Sequence, residues 1–155
     1  MSTEEQVRVL EGDITVDYKW NPGTTVGRFL TRLRDDQELV AVRCTKTSKV
    51  FLPPQSWSPY GMIKMDRFVP VTGTPQLKAG TIVYQLPWNA PEGIEPPYML
   101  AAISYPGVDS ELIHLVVADE ETLKQLKPGD KLKARFREEP TGSIRDLDYY
   151  EPAEL

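Results

Sequence analysis

The sequence predicts a mainly β chain that opens with a helix, passes through a ribbon-like hairpin and ends in a small barrel. Three observations carry that expectation. From residue 64 onward the chain falls into strand-like runs separated by turn residues: RFVPVTG, TIVYQLPW, YMLAAISY, ELIHLVVA and KLKARFREE. One short helical segment, DEETLKQL, interrupts them before the last run. Upstream, RCTKTSKVFLPPQSWSPYG (residues 43–61) has the spacing of a small metal ribbon, yet it holds a single cysteine. Several strands with one short helix before the last long one is the order of a Greek-key barrel of the OB type.

Taken in order, the first residues, MSTEEQVRVLEGD, are polar and acidic and are expected to be loosely attached; they lack the apolar stretch of a signal peptide. ITVDYKW, residues 14–20, alternates apolar and polar and predicts a short strand. NPGTT breaks the chain and offers Thr24 or Thr25 as a helix N-cap. Val26, Phe29, Leu30 and Leu33 follow at helical spacing, which predicts an amphipathic helix over 25–36 with Arg28, Arg32 and Asp35 on its other face. ELVAVRC leads into the ribbon, and KVFLPP returns and is ended by two prolines. PWNAPEGIEPP, residues 87–97, is too proline-rich for central sheet and is expected to be a long loop. Asp119 caps the late helix and Pro128-Gly129 stops it. The expected division is a tail and helix over 1–38, a ribbon hairpin over 39–63 and a barrel over 64–155.

A chain of 155 residues can build one core without staples. Its lone cysteine excludes an internal disulfide and suits a reducing compartment. No apolar run approaches the roughly 20 residues of a membrane span, so the expected location is the cytoplasm and no membrane partner is expected. The net charge of −5 disfavours broad binding to nucleic acid. The charge is uneven, however. Residues 28–67 carry eight basic and four acidic side chains, a local +4 that leaves −9 for the rest. Such a segment is either a solvated face or a landing site for an anionic ligand.

The chemistry of residues 43–61 follows from their ligand slots. A four-thiolate zinc site would need cysteines at positions 44, 47, 58 and 61, and the chain offers Cys44, Thr47, Ser58 and Gly61. Two hydroxyls and a glycine do not replace three thiolates, so no zinc is expected. Apolar packing must then hold the ribbon, and Val50, Phe51, Leu52, Trp57, Tyr60 and Met62 are placed to supply it, each worth about 1.5–3 kcal/mol when buried. No catalytic set emerges. A nucleophilic Cys44 would need His114, the only histidine, beside it. There is no phosphate-cradling glycine loop and no G-x-S-x-G elbow. Tyr84, Tyr98 and Phe136 lie in or beside strand runs and could stack bases, which keeps a free-standing OB-fold binder of single-stranded nucleic acid as the alternative reading.

Several pieces occur in a telling order: F-L-x-x-L in the helix, RC, V-F-x-PP, SP-x-G, A-G-T-I-V, PPYMLAAISYPGVDSELIHLV, LKPGDKLKARF and finally GSIRDLDYYEP. Over roughly residues 18–152 this resembles the zinc-ribbon/OB-fold family of acyl-CoA-associated proteins, once classed as a domain of unknown function. The resemblance implies an N-terminal helix, a rubredoxin-like ribbon (here without its metal) and a C-terminal OB-fold barrel. It implies a non-catalytic accessory or scaffold subunit of a thiolase-type acyl-CoA enzyme, in a hetero-oligomer with two copies of each chain. Coenzyme A or acyl-CoA would be bound in that complex and not by the chain alone. The candidate coenzyme A contacts are Arg43, Lys46, Lys49, Lys64 and Arg67, since phosphates call for Arg and Lys. The candidate partner anchors are Phe29, Leu33, Phe51, Trp57, Tyr60 and Trp88, since buried aromatics dominate interfaces.

Overall fold

The computed structural model describes residues 12, 15–19, 21–87 and 93–153. The expected helix is present as α1, Gly23–Asp36. It begins two residues before the expected one because Asn21, not a threonine, serves its first turn: the Asn21 side chain accepts the Gly23 N–H at 2.8 Å. Phe29 and Leu33 are buried and the arginines point outward. The strand expected at ITVDYKW does not form over residues 15–19, which are exposed and pair with nothing; residues 14 and 20 lie outside the described residues.

Three strands form the first sheet: β1, Val40–Arg43; β2, Val50–Phe51; and β3, Arg67–Pro70, in the order β2-β1-β3. RFVPVTG, expected in the barrel, therefore belongs to the ribbon sheet, with Arg67 opposite Arg43 and Pro70 opposite Val40. Five strands form the second sheet: β4, Gln76–Val83; β5, Tyr98–Ser104; β6, Leu112–Val116; β7, Leu132–Phe136; and β8, Leu147–Pro152. Their order is β4-β5-β6-β8-β7, and Gln76 pairs with Lys131 to bring β7 back to β4. Leu77 N–H to Asp130 O and Leu132 N–H to Pro75 O complete that closure. This is an OB-type barrel. The short helix α2, Glu120–Gln125, stands between β6 and β7 as expected, capped by Asp119, whose carboxylate accepts the Thr122 N–H at 2.9 Å. The fifth barrel strand, β8, comes from LDYYEP, where alternating charges masked a strand.

One core joins helix, ribbon and barrel. Phe29 and Leu33 of α1, Val40 and Ala41 of β1, and Val50 with Leu52 pack onto Leu77, Ile103, Leu112 and Tyr150 of the barrel. The turn between β5 and β6 latches the ribbon: the Asp109 carboxylate accepts the Val50 N–H, the Asp109 N–H donates to Val50 O, and the Ser110 hydroxyl bridges Leu52 N–H and O. These bonds occupy the free edge of β2, which would otherwise leave strand groups unpaired. Inside the barrel the hydroxyls of Tyr105 and Tyr150 meet at 2.7 Å, so two buried phenols satisfy one another. Among the described residues no helix is long and apolar enough to cross a membrane.

Candidate functional site

The tip of the ribbon, residues 43–61, holds one thiol and no His, Asp or Glu beside it. Cys44 is fully buried in a small cluster with Val42, Phe51 and Met65. The turn around it still closes, with Cys44 N–H donating to Lys49 O and Ser48 N–H to Cys44 O, both at 2.8 Å. Across the gap stands buried Ser58, its hydroxyl 3.2 Å from the Cys44 sulfur and accepting the Tyr60 N–H. Thr47 and Gly61 are exposed. A side chain added at Gly61, where φ is +148°, would begin 3.3 Å from the Lys46 ammonium, so a lysine fills the space of the fourth ligand. One thiol, two hydroxyls and an ammonium do not fit a zinc ion. Among the described residues no three His, Cys, Asp or Glu side chains stand together. Hydrogen bonds from the Ser58 and Thr47 hydroxyls, then from backbone N–H groups of Thr47 and Lys46, lower the Cys44 thiol to about 7. These donors favour the thiolate over the thiol.

The packing differs from the sequence expectation. Of the six apolar residues assigned to hold the ribbon, only Phe51 joins the cluster around Cys44; Val50 and Leu52 face the main core. Trp57, Tyr60 and Met62 are 59, 50 and 86% exposed. Met65, which lies beyond the ribbon motif in sequence, takes their place because its strand neighbourhood folds back: Met65 N–H donates to Ser56 O.

The five expected phosphate contacts share the ribbon. Arg43 stands opposite Arg67, a like-charge pair across two strands, and donates to Ser48 O at 3.1 Å. Lys49 reaches the Tyr60 hydroxyl at 3.3 Å and lies 4.4 Å from its ring centre. The Lys64 backbone pairs antiparallel with that of Trp57, and the Lys46 side chain lies over Gly61. None of the five pairs with a described carboxylate, whereas Arg32, Arg34, Lys124, Arg135 and Arg137 all do.

Of the six expected partner anchors, Phe29, Leu33 and Phe51 are buried in the chain's own core, and this corrects the expectation that they face a partner. Trp57 and Tyr60 are exposed; Trp88 lies outside the described residues. Cys44 and His114 are not partners, since Cys44 lies among ribbon side chains and His114 stands edge-on to Tyr150 in the barrel. Of the three aromatics considered for base stacking, Tyr98 is buried and Phe136 half-buried, leaving Tyr84 exposed.

Sequence reasoning missed two surface features. The first is a cleft of about 200 Å³ lined by Ile94, Leu100, Ile113, His114, Ile144 and Arg145, with the Arg137–Asp148 pair at its edge. It opens where β6 and β8, parallel neighbours, hold a single register pair, Val116 with Tyr150. His114 is pushed down from its ordinary value by burial, partly opposed by nearby carbonyls of Leu115 and Ile144, which favours the neutral imidazole. Its Nδ1 is buried without a hydrogen-bond partner, which costs about 1–3 kcal/mol. The second is an apolar groove of about 550 Å³ between Val26 and Leu30 of α1, Pro53-Pro54 of the ribbon and Ile144. Ile144 thus borders both. Its loop is fixed by buried Asp146, whose carboxylate accepts the N–H groups of Thr141, Gly142 and Ser143. A signal was present in YMLAAIS, a strand apolar on both faces, which implies either a cover or a contact on its outer side.

No family model matches the sequence, and no curated protein matches it. Solved structures do. A crystal structure of a DUF35-family protein of unknown function from Sulfolobus solfataricus, at 1.80 Å resolution, superposes with a TM-score of 0.57 at 19% identity over 72% of this chain and 78% of that one. The Ltp2–ChsH2(DUF35) aldolase superposes with a TM-score of 0.60 at 18% identity over 87% of this chain and all of the matched chain. The structural neighbours are thus DUF35 proteins, and the mainly β, OB-type fold is shared with them.

Proposed function

We propose that this chain is a non-catalytic accessory subunit of a thiolase-type acyl-CoA enzyme, in which the metal-free ribbon receives the phosphate end of coenzyme A next to the partner. The observation that carries this reading is the ribbon's surface. Arg43, Lys46, Lys49, Lys64 and Arg67 have no described carboxylate partner, and exposed Trp57, Tyr60 and Met62 stand among them, in a chain of net charge −5. Unpaired cations suit phosphates, and rings beside them offer an adenine a stacking face. The likeness in fold to a DUF35 chain named within an aldolase supports a subunit role alongside an enzyme. The ion is not needed for such a role, because scaffolding draws on shape and surface. Where the chain acts in the cell follows from its partner, and the cytoplasm is the compartment we propose.

The test is to purify the tagged chain with its native partner and measure coenzyme A affinity of the complex. We expect Lys46→Glu with Lys49→Glu to weaken coenzyme A at least about tenfold, because each lost phosphate contact is worth about 1.5–3 kcal/mol. Assembly should persist in that variant. Unchanged affinity would remove coenzyme A from the ribbon, and a chain that purifies without an acyl-CoA enzyme would remove the subunit reading altogether.

A further inference from the structure

The barrel has a weak seam between β6 and β8, and the chain's only histidine sits beside it. We propose that His114 makes this seam acid-sensitive: when its imidazole takes up a proton, β6 and β8 part and the loop carrying Ile144 moves with them. The proposal concerns the barrel and does not depend on the acyl-CoA reading. The seam is weak because the two parallel strands hold one register pair, Val116 with Tyr150, next to a bond from Val117 N–H to Tyr150 O at 2.8 Å. On its other side β6 pairs with β5 all the way from Leu112 to Val116. His114 stands two residues before Val116 and meets Tyr150 edge-on, 5.8 Å between ring centres. Its Nδ1 is buried without a hydrogen-bond partner. Carbonyls of Leu115, Ile144 and Leu147 lie nearby, yet none of them bonds that nitrogen, and the Tyr150 hydroxyl is turned to Tyr105 at 2.7 Å.

A proton upsets this arrangement. Both nitrogens of an imidazolium donate, so Nδ1 becomes a buried donor on a charged ring with no acceptor, which costs more than the vacant lone pair of the neutral ring. The surroundings do not compensate. The charged groups on this cleft are Arg137 just past β7, Arg145 in the turn Ile144–Asp146 and Asp148 on β8, and the one carboxylate is held by Arg137 at 3.3 Å. β5 and β6 add only the apolar Leu100, Ile113 and Leu115. Two guanidiniums against one engaged carboxylate oppose a further positive charge. Burial acts in the same direction, and neither the carbonyls nor Asp148 outweigh it. Parting the strands relieves the penalty by giving Nδ1 water. The ordinary value near 6.5 then returns, so the open form takes the proton first. Opening is therefore indifferent to pH above about 6.5 and is eased as pH falls below it, until the closed form also titrates. The motion has reach, because Ile144 lines both this cleft and the groove beside α1.

The test is amide hydrogen exchange of the full chain between about pH 5 and 8, read as protection of the Val117 amide relative to the amides of β5, so that the intrinsic pH dependence of exchange cancels. We expect the ratio to hold above about pH 7 and to fall about threefold to thirtyfold by pH 5, the upper limit being set by an open-state value of about 6.5. His114→Gln should abolish the fall. The wild type alone also decides the matter, because one histidine gives ring-nitrogen NMR resonances without overlap. The fall at each pH must match the gap between about 6.5 and the titration those resonances report. The proposal fails if His114 titrates at or above about 6.5, if the ratio stays flat down to pH 5, or if His114→Gln retains the fall.

Discussion

The barrel and the ribbon are stabilised on different scales. Barrel strands contribute Leu77, Met99, Ile103, Leu112, Val116, Leu132, Leu147 and Tyr150 to one continuous core, closed by a ring of strands. The ribbon's outer cluster is four residues, Val42, Cys44, Phe51 and Met65, on strands only two to four residues long. A free-standing hairpin of that size would not hold. It holds because its other face, Val40, Ala41, Val50 and Leu52, belongs to the barrel's core. The larger domain carries the fold, and the ribbon's tip is left free to present Trp57, Tyr60 and the lysines.

The sharpest way to break this comparison is to empty one buried side chain of the barrel. Ile103→Ala removes a fully buried barrel side chain and should cost about 2–5 kcal/mol in global unfolding, read by chemical denaturation. Its loss should speed hydrogen exchange in ribbon and barrel alike, because the ribbon leans on the barrel. Equal global cost with an unaffected ribbon would show that the ribbon stands alone.

A smaller effect tests the latch. Asp109→Ala leaves the Val50 N–H without its carboxylate partner at 2.8 Å, a loss of about 1–3 kcal/mol. We expect it to fall on the ribbon: faster exchange at Val50 and Phe51, with barrel amides little changed. Uniform loss across the chain would mean that ribbon and barrel unfold as one unit and that the distinction drawn between them is only geometric.

How much of this was legible in sequence depends on how local each cause is. Helix α1, the Asp119 cap and the hairpin of β1 and β2 follow from spacing and capping within a few residues, and the sequence conveys them. The swap of RFVPVTG into the ribbon sheet does not, because Arg67–Pro70 reads as strand wherever it pairs, and its partner is decided by β1. LDYYEP was hidden because its two core residues, Leu147 and Tyr150, stand three apart and not at the two-residue strand period, while Asp148 and Glu151 pair outward with Arg137 and Arg135. At the candidate site the basic ribbon was legible from charge counts, since counting needs no geometry. Burial of Phe29, Leu33 and Phe51 was not, because an apolar stripe looks the same whether its own chain or another covers it. The β6–β8 cleft was beyond reach, being made by strands that are neighbours in the sheet and thirty residues apart in the chain.

The finest distinction between the two regions is electrostatic and sits at Cys44. Its thiol is lowered to about 7 in the folded chain, first by the Ser58 hydroxyl, and returns toward about 8.5 on unfolding. A group depressed by folding adds stability that is complete above its unfolded value and lost as pH falls through the folded one. Wild type should therefore gain on Cys44→Ser as pH rises from about 7 to about 9, and show no such gain below 7, in thermal midpoints measured under reductant. The effect should shrink in Ser58→Ala, which removes the principal donor but leaves those of Thr47 and Lys46, while barrel substitutions such as Ile103→Ala should lower the midpoint without changing its pH slope. An undiminished slope without Ser58 would assign the alkaline gain to groups other than the Ser58 hydroxyl. A slope that shrinks without Ser58 would mean that the turn holds a thiolate among hydroxyl and backbone donors, Ser58 first among them.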